Sequence, residues 1–284
     1  MTKSQTRDLK LSWWELLNPL QIATHLYRQH DLIRQMTRRE ISQRYRGSLL
    51  GLAWSLIVPL TSLAIYTFVF SGIFQSNWRP GASASTGEYA LTLFAGLTAF
   101  NLFSEMMGRA PLLILAVPNL VKKVLFPLEI LPLVQIGASL LTSIFSIGVL
   151  VLAGILFTQS ISTTLWMLPL AFVPLLFLTL GVGWFLSALG VYVRDISQGI
   201  GIVTQILLFL SPVMYPTSAV PENLRSVFYI NPLTTVLDGF RATLLWGQPL
   251  DWPNWGLWVV VSFVWAVLAY AWFMKMKPGF ADVM

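Results

Sequence analysis

The chain has 284 residues, 56% of them hydrophobic and only 11% charged, with eighteen Lys/Arg, twelve Asp/Glu and no cysteine. Soluble domains carry roughly 25% charged residues, so a chain this poor in charge is built for lipid, and its net +6 belongs to segments beside the membrane. Disulfides, thiolate metal sites and thiol redox chemistry are excluded. With no internal repeat or long flexible linker, the sequence reads as an all-α integral membrane protein in three parts: a cytoplasmic arm at 1–46, a six-span domain at 47–274 and a cytoplasmic tail at 275–284.

The arm comes first. Nine Lys/Arg fall before residue 47, among them Arg34, Arg38, Arg39, Arg44 and Arg46, and the run from Ser48 to Phe74 then has no charge. A cleaved secretory leader has a short basic lead and an apolar run of about 7–15 residues. This arm is far longer and its apolar run about twice that length, so it is expected to remain as a permanent element. Residues 12–30 read as an amphipathic helix started by Asn18 as cap and Pro19 in the first turn. Trp13, Leu16, Leu17, Leu20, Ala23 and Tyr27 form its apolar face. Such a helix either lies in the membrane interface or packs on the rest of the protein. The arginines either attract anionic lipid or face a protein partner as well.

A bilayer core about 30 Å thick needs roughly 20 apolar helical residues. Six stretches qualify, at about 49–74, 89–108, 129–158, 165–193, 200–221 and 256–274. The fifth is the least regular. Pro212 and Pro216 sit in its second half, and proline removes a backbone donor, so it is expected to stop short and lead into one or two short re-entrant helices between Leu224 and Trp246. Fifteen Lys/Arg then fall on the side of the arm, including Arg109, Lys122, Lys123, Arg194, Lys275 and Lys277, and three (Arg79, Arg225, Arg241) on the other. The positive-inside rule puts both termini in the cytoplasm. Trp246, Trp252, Trp255 and Trp258 mark the outer interface.

The span interiors carry no ionisable side chain, whereas ion-coupled transport and intramembrane catalysis usually need one. Glu105 and Glu129 lie near span ends, and His25 and His30 sit in the arm, where a surface position is the ordinary reading. No catalytic set and no metal site can be assembled. The sequence also lacks G-x-x-x-x-G-K-[ST], so energy for uphill movement must come from another polypeptide. Aromatic residues are what the spans do contain. Trp54, Tyr66, Phe70, Phe100, Phe103, Trp184 and Tyr192 are candidates to line a path for a sugar chain, against the ordinary role of packing and interfacial anchoring. Asp238 and Arg241, three apart on one helical face, either form a mere local ion pair or belong to an outer gate.

Four stretches carry a resemblance. They are LIRQMTRREISQRYRGSLLGLAWSLIVPL (32–60), VPNLVKKVLFPLEILPL (117–133), GVYVRDISQGI (190–200) and LSPVMYPTSAVPENLRSVFYINPLTTVLDGFRATLLWG (210–247). In order and spacing they resemble the membrane permease of type-2 ABC exporters of polysaccharide, the family that serves O-antigen, capsule and teichoic acid export. The resemblance covers about residues 30–276. It implies a homodimer around a central channel, resting on two copies of a separate cytoplasmic ATPase that binds the ATP and Mg²⁺, in the bacterial inner membrane. It also implies that the arm and the 109–127 loop contact that ATPase, making Arg38, Arg39, Arg44, Arg46, Arg109, Pro118, Asn119, Lys122, Lys123, Arg194 and Asp195 the coupling residues. Pro212, Tyr215, Pro216, Asn231, Pro232, Asp238 and Arg241 would form the outer gate. Lipid-linked polysaccharide and membrane lipids are the partners implied, and nucleic acid is not among them. A permease for small hydrophobic drugs and a membrane-embedded transferase acting on lipid-linked glycan are the alternatives.

Overall fold

The computed structural model describes residues 13–73, 78, 87–121, 126–158 and 162–284, and they are helical, with no strand among them. The arm forms α1 (Pro19–Arg28) and α2 (His30–Arg44). Asn18 caps α1, its Oδ1 accepting from the Leu20 amide at 3.0 Å with Pro19 in the first turn. The face of α1 that packs on the protein is not the one the apolar spacing picks out. Ile22, His25 and Leu26 turn inward, while Leu20 and Tyr27 are 76% and 75% exposed.

Five stretches are long and apolar enough to cross a membrane: Gly51–Phe70, Glu88–Leu112, Leu128–Phe157, Leu165–Tyr192 and Trp252–Val283. Their main helices are α3 (Trp54–Tyr66), α4 (Glu88–Arg109), α5 (Leu131–Thr158), α6 (Leu168–Tyr192) and, last in the chain, α10 (Trp252–Met276). The remaining apolar stretch, fifth in chain order, differs from its sequence-based bounds. Its helix, α7, runs Ile196–Leu210, about 22 Å at 1.5 Å per residue. The residue before a proline is driven out of the helical region, and Ser211, preceding Pro212, is extended at φ −105°, ψ 145°. Two short helices follow, α8 (Glu222–Ile230) and α9 (Pro232–Arg241), with a π-helical turn to Trp246.

α4 is the centre of the fold. Of its most apolar window 83% is buried, against 17% for the Gly51–Phe70 stretch, because α3, α5, α6, α7 and α9 all pack on it. α6 and α10 form the most extensive helix pair, interlocked by edge-to-face rings of Phe177 with Phe263 and Trp184 with Tyr270. Gly190 brings α6 against the 110–112 turn so closely that a Cβ there would stand 2.2 Å from the Pro111 carbonyl oxygen.

Candidate functional site

Charge gathers at the two ends of the bundle and is differently arranged at each. At the end holding the arm, α2 is tied to α4 by four ionised groups. Arg44 Nη2 lies 2.7 Å from Glu105 Oε1, Arg109 Nη1 lies 3.0 Å from Glu40 Oε1, and longer contacts at 3.5–3.7 Å close the ring. Gln135 on α5 adds an amide N–H to Glu105 at 3.2 Å. A quartet with alternating sign holds an arm in place more firmly than exposed pairs, whose single contributions are about 0–1 kcal/mol.

The same end contains a second junction. Glu129, 1% exposed, takes His25 Nε2 on Oε1 and Lys277 Nζ on Oε2, both at 2.7 Å. α1, the start of α5 and the end of α10 are thereby fastened together, and the Trp184 indole donates to the Glu129 carbonyl at 2.9 Å. His25 is therefore not the surface residue its place in the arm suggests. A buried carboxylate is expensive unless paired and hydrogen-bonded, and it recruits the arm histidine for that reason. The signal in the sequence was the acid itself, set within FPLEILPL.

At the opposite end, Arg241 of α9 is completely buried. Its Nε donates to the Thr92 carbonyl at 3.1 Å, Nη2 to the Val213 carbonyl at 2.9 Å and Nη1 to Asp238 at 3.3 Å. Its guanidinium carbon lies 4.3 Å from the centre of the Trp78 ring. α4 makes room at Gly96, where a Cβ would sit 2.5 Å from Arg241 Nη2. Beside it Tyr89 donates to the Met214 carbonyl at 2.6 Å, and Asn231 donates to Ser211 Oγ at 2.9 Å while capping α9 through the Leu233 amide. The pair Asp238–Arg241 is thus more than a local contact: it is one edge of a junction joining α4, α9 and the non-helical stretch after α7.

The defining pattern of the "ABC-2 type transporter" family matches residues 31–245, which takes in α2 from its second residue, the charged quartet, Glu129 and Arg241. The chain belongs to that family. Among relatives of this ABC-2 chain is an "O-antigen export system permease protein RfbA" of Klebsiella pneumoniae, 23% identical over 89% of this chain and 95% of its own length. A protein of the same description from Myxococcus xanthus is 25% identical over 78% of this chain and 84% of its own. A "Polysialic acid transport protein KpsM" of Escherichia coli is 24% identical over 74% and 79%.

The ABC-2 chain distributes the sequence-derived candidates unevenly. Arg38, Arg39, Arg46, Pro118, Asn119, Arg194 and Asp195 are exposed at the arm end. Lys122 and Lys123 lie outside the described residues. Arg44 and Arg109 are engaged in the quartet, so they join arm to bundle instead of standing free. In the 118–121 helical turn Val121 is buried against the cluster of α6 and α10 while Pro118 and Asn119 point out.

The aromatic candidates also divide. Phe100, Phe103 and Trp184 are 3–4% exposed and packed inside the protomer. Trp54 is 42% exposed, its indole donating to Ser48 Oγ. Tyr66 and Phe70 are half-buried on α3 and its π-helical extension, Phe70 stacked on Tyr89. Tyr192 is fixed at the arm end, donating to the Met276 carbonyl at 2.8 Å. Pro212 is buried, and Tyr215, Pro216 and Pro232 are half-buried around the α7–α9 corner, with the Tyr215 ring set against Phe228.

Proposed function

We propose that this chain is the membrane-spanning subunit of an ATP-driven exporter that carries a lipid-linked polysaccharide of O-antigen, capsule or teichoic acid type out of the cytoplasm. The observation that carries the reading is the family match over 31–245 together with relatives whose names specify O-antigen export and polysialic acid transport. Two copies pair in the bacterial inner membrane and rest on two ATPase subunits that bind the nucleotide and Mg²⁺. The chain crosses six times, with the arm and the C-terminal tail in the cytoplasm. Five long helices support this, and so do the contacts at the two ends of α7, which begins beside Tyr192 at the arm end and leads to Met214 against Tyr89 at the other. The concentration of exposed arginine around the arm supports the cytoplasmic assignment of that end.

Force enters through the exposed coupling set: the arm arginines Arg38, Arg39 and Arg46, the Pro118–Asn119 knob, and Arg194–Asp195. Val121 presses into the α6–α10 pair, so a push on the 118–121 turn displaces packed helices and is not absorbed by a loose connector. Arg44 and Arg109 carry the same displacement from the arm to α4. On the outer side α8 and α9 dip back as re-entrant helices and gate the path. Non-helical backbone at membrane depth survives only against protein or water, and the carbonyls of Val213 and Met214 are held by Arg241 and Tyr89. Trp54, Tyr66 and Phe70 remain as ring surfaces for the passenger. α1 lies in the headgroup layer with Leu20 and Tyr27 toward lipid.

Two measurements test the reading. Replacing residues 117–121 by a Gly/Ser linker should leave the subunit able to co-purify with its ATPase but abolish stimulated ATP hydrolysis, and unchanged stimulation would remove the coupling assignment. Loss of the chain from its host should leave lipid-linked glycan in the cytoplasm. Normal surface glycan in that strain would refute export.

A further inference from the structure

At the end opposite the arm, a partly open cavity of about 330 Å³ lies between α9, the 247–251 loop, the start of α10 and the outer part of α6, at the lower limit of small-molecule pockets. Its polar lining is built, not incidental. Asp251 caps α10, and its Oδ2 accepts the Asn254 side-chain amide at 2.6 Å, so carboxylate and amide stand as a fixed pair. Trp255 is clamped by its indole N–H, which donates to the Leu170 carbonyl at 2.9 Å. Asp238 adds a second carboxylate with its side chain 45% exposed, while its partner Arg241 is wholly buried behind it.

These features select a chemistry. Two carboxylates face the cavity and the adjacent guanidinium is sequestered, so phosphate and other anions are repelled. A carboxylate–amide pair accepts from and donates to neighbouring hydroxyls, and a clamped indole offers a flat apolar face with a polar rim. We propose that this cavity binds a neutral pyranose unit, held by Asp251–Asn254 and Asp238 with Trp255 as the stacking platform. The site deepens the polysaccharide-export reading, on which its ligand class partly rests, by giving the emerging glycan a station at the outer end of each protomer.

The test uses the whole transporter, permease with its ATPase, in lipid nanodiscs. Methyl α-glucopyranoside, methyl α-mannopyranoside and lactose are titrated against tryptophan fluorescence and followed by saturation-transfer NMR, with inorganic phosphate as the anionic probe. At least one neutral sugar should saturate with a millimolar dissociation constant, the range expected for a single ring held by a few polar contacts. Asn254→Ala removes the side-chain amide at an exposed position and keeps the Asp251 cap on the backbone amide. It should weaken binding about threefold to tenfold without lowering the thermal midpoint, which separates a binding role from a structural one. Asp251→Asn retains a good helix cap and should weaken binding by a similar factor. The proposal is overturned if no neutral sugar saturates, if both variants bind as the wild type does, or if phosphate competes at the same residues. Absent sugar binding in a chain whose loss still traps glycan inside would sink this site alone and leave the export reading standing.

Discussion

Replacing Arg241 with methionine tests whether the junction of α4 and α9 is a lock or a tolerated burial. Methionine fills much of the side-chain stem, so the change removes mainly the guanidinium. The stacked contact with Trp78 at 4.3 Å, worth about 2 kcal/mol when desolvated, disappears. The Val213 carbonyl, now served at 2.9 Å, is left without that donor at about 1–3 kcal/mol. Against these losses stands the relief of not burying an ion, several kcal/mol. Breaking a buried pair by removing one partner costs about 3–5 kcal/mol in general. Asp238 is half-exposed and can turn to water, which lowers the expectation to about 2–4 kcal/mol. For a chain of this size that is a fall in thermal midpoint on the order of 10 °C, read by fluorescence-detected size exclusion after heating in detergent. Gly96→Ala should cost about 1–3 kcal/mol on its own, because its methyl would stand 2.5 Å from Nη2. In the Arg241→Met background most of that cost should vanish, since the clashing atom is gone. A midpoint for Arg241→Met within a degree of wild type, or above it, would refute the reasoning.

Three further outcomes follow from the arm end and the topology. Glu105→Gln should destabilise by about 1–2 kcal/mol and speed proteolysis of the arm. Combined with Arg44→Gln it should deviate from additivity by at least about 0.5 kcal/mol in a double-mutant cycle, and strict additivity would deny the quartet. Lys277→Met strands the Glu129 carboxylate, 1% exposed, with His25 as its remaining side-chain partner and should cost about 3–5 kcal/mol. Glu129→Leu with Lys277→Met should recover much of that loss, and a double variant worse than the single would reject the pairing argument. Since the chain has no cysteine, Gln248→Cys should react with an impermeant thiol reagent from outside intact cells and Asn119→Cys only after the membrane is opened. The reversed pattern overturns the orientation.

What the sequence made legible was local. Asn18 starts α1 through a 3.0 Å bond from the Leu20 amide to its side chain, as capping rules imply, and Asn231 starts α9 through the same bond from Leu233 although the sequence was read there only for a gate. Pro212 likewise announces the early end of α7. What was not legible lies far apart along the chain. His25 and Lys277 reach Glu129 across 104 and 148 residues, and Arg241 reaches Thr92 across 149. Ring exposure was illegible for a different reason. A helix that is apolar all round carries no face signal, so nothing in the pattern separates Phe100 and Phe103, closed inside the protomer, from Phe68, which is 67% exposed.

The two charged ends are not independent, because α4 belongs to both. Its first turns supply Tyr89, the Thr92 carbonyl and the gap at Gly96 that seat Met214 and Arg241, and its last turn supplies Glu105 and Arg109 to the arm. Twenty-two helical residues span about 33 Å, roughly the thickness of a bilayer core. Helices pack on α4 from every side, and no proline interrupts it between the quartet and the arginine seat. A rod of that kind does not bend to absorb a displacement of the arm. It tilts or shifts as one body, and the α9 junction at its far end must follow or break the two hydrogen bonds that join it to α4, Arg241 to the Thr92 carbonyl and Tyr89 to the Met214 carbonyl. Coupling between the arm end and the α9 end therefore needs no relay of separate side chains, only the rigidity of the most deeply buried helix among the described residues.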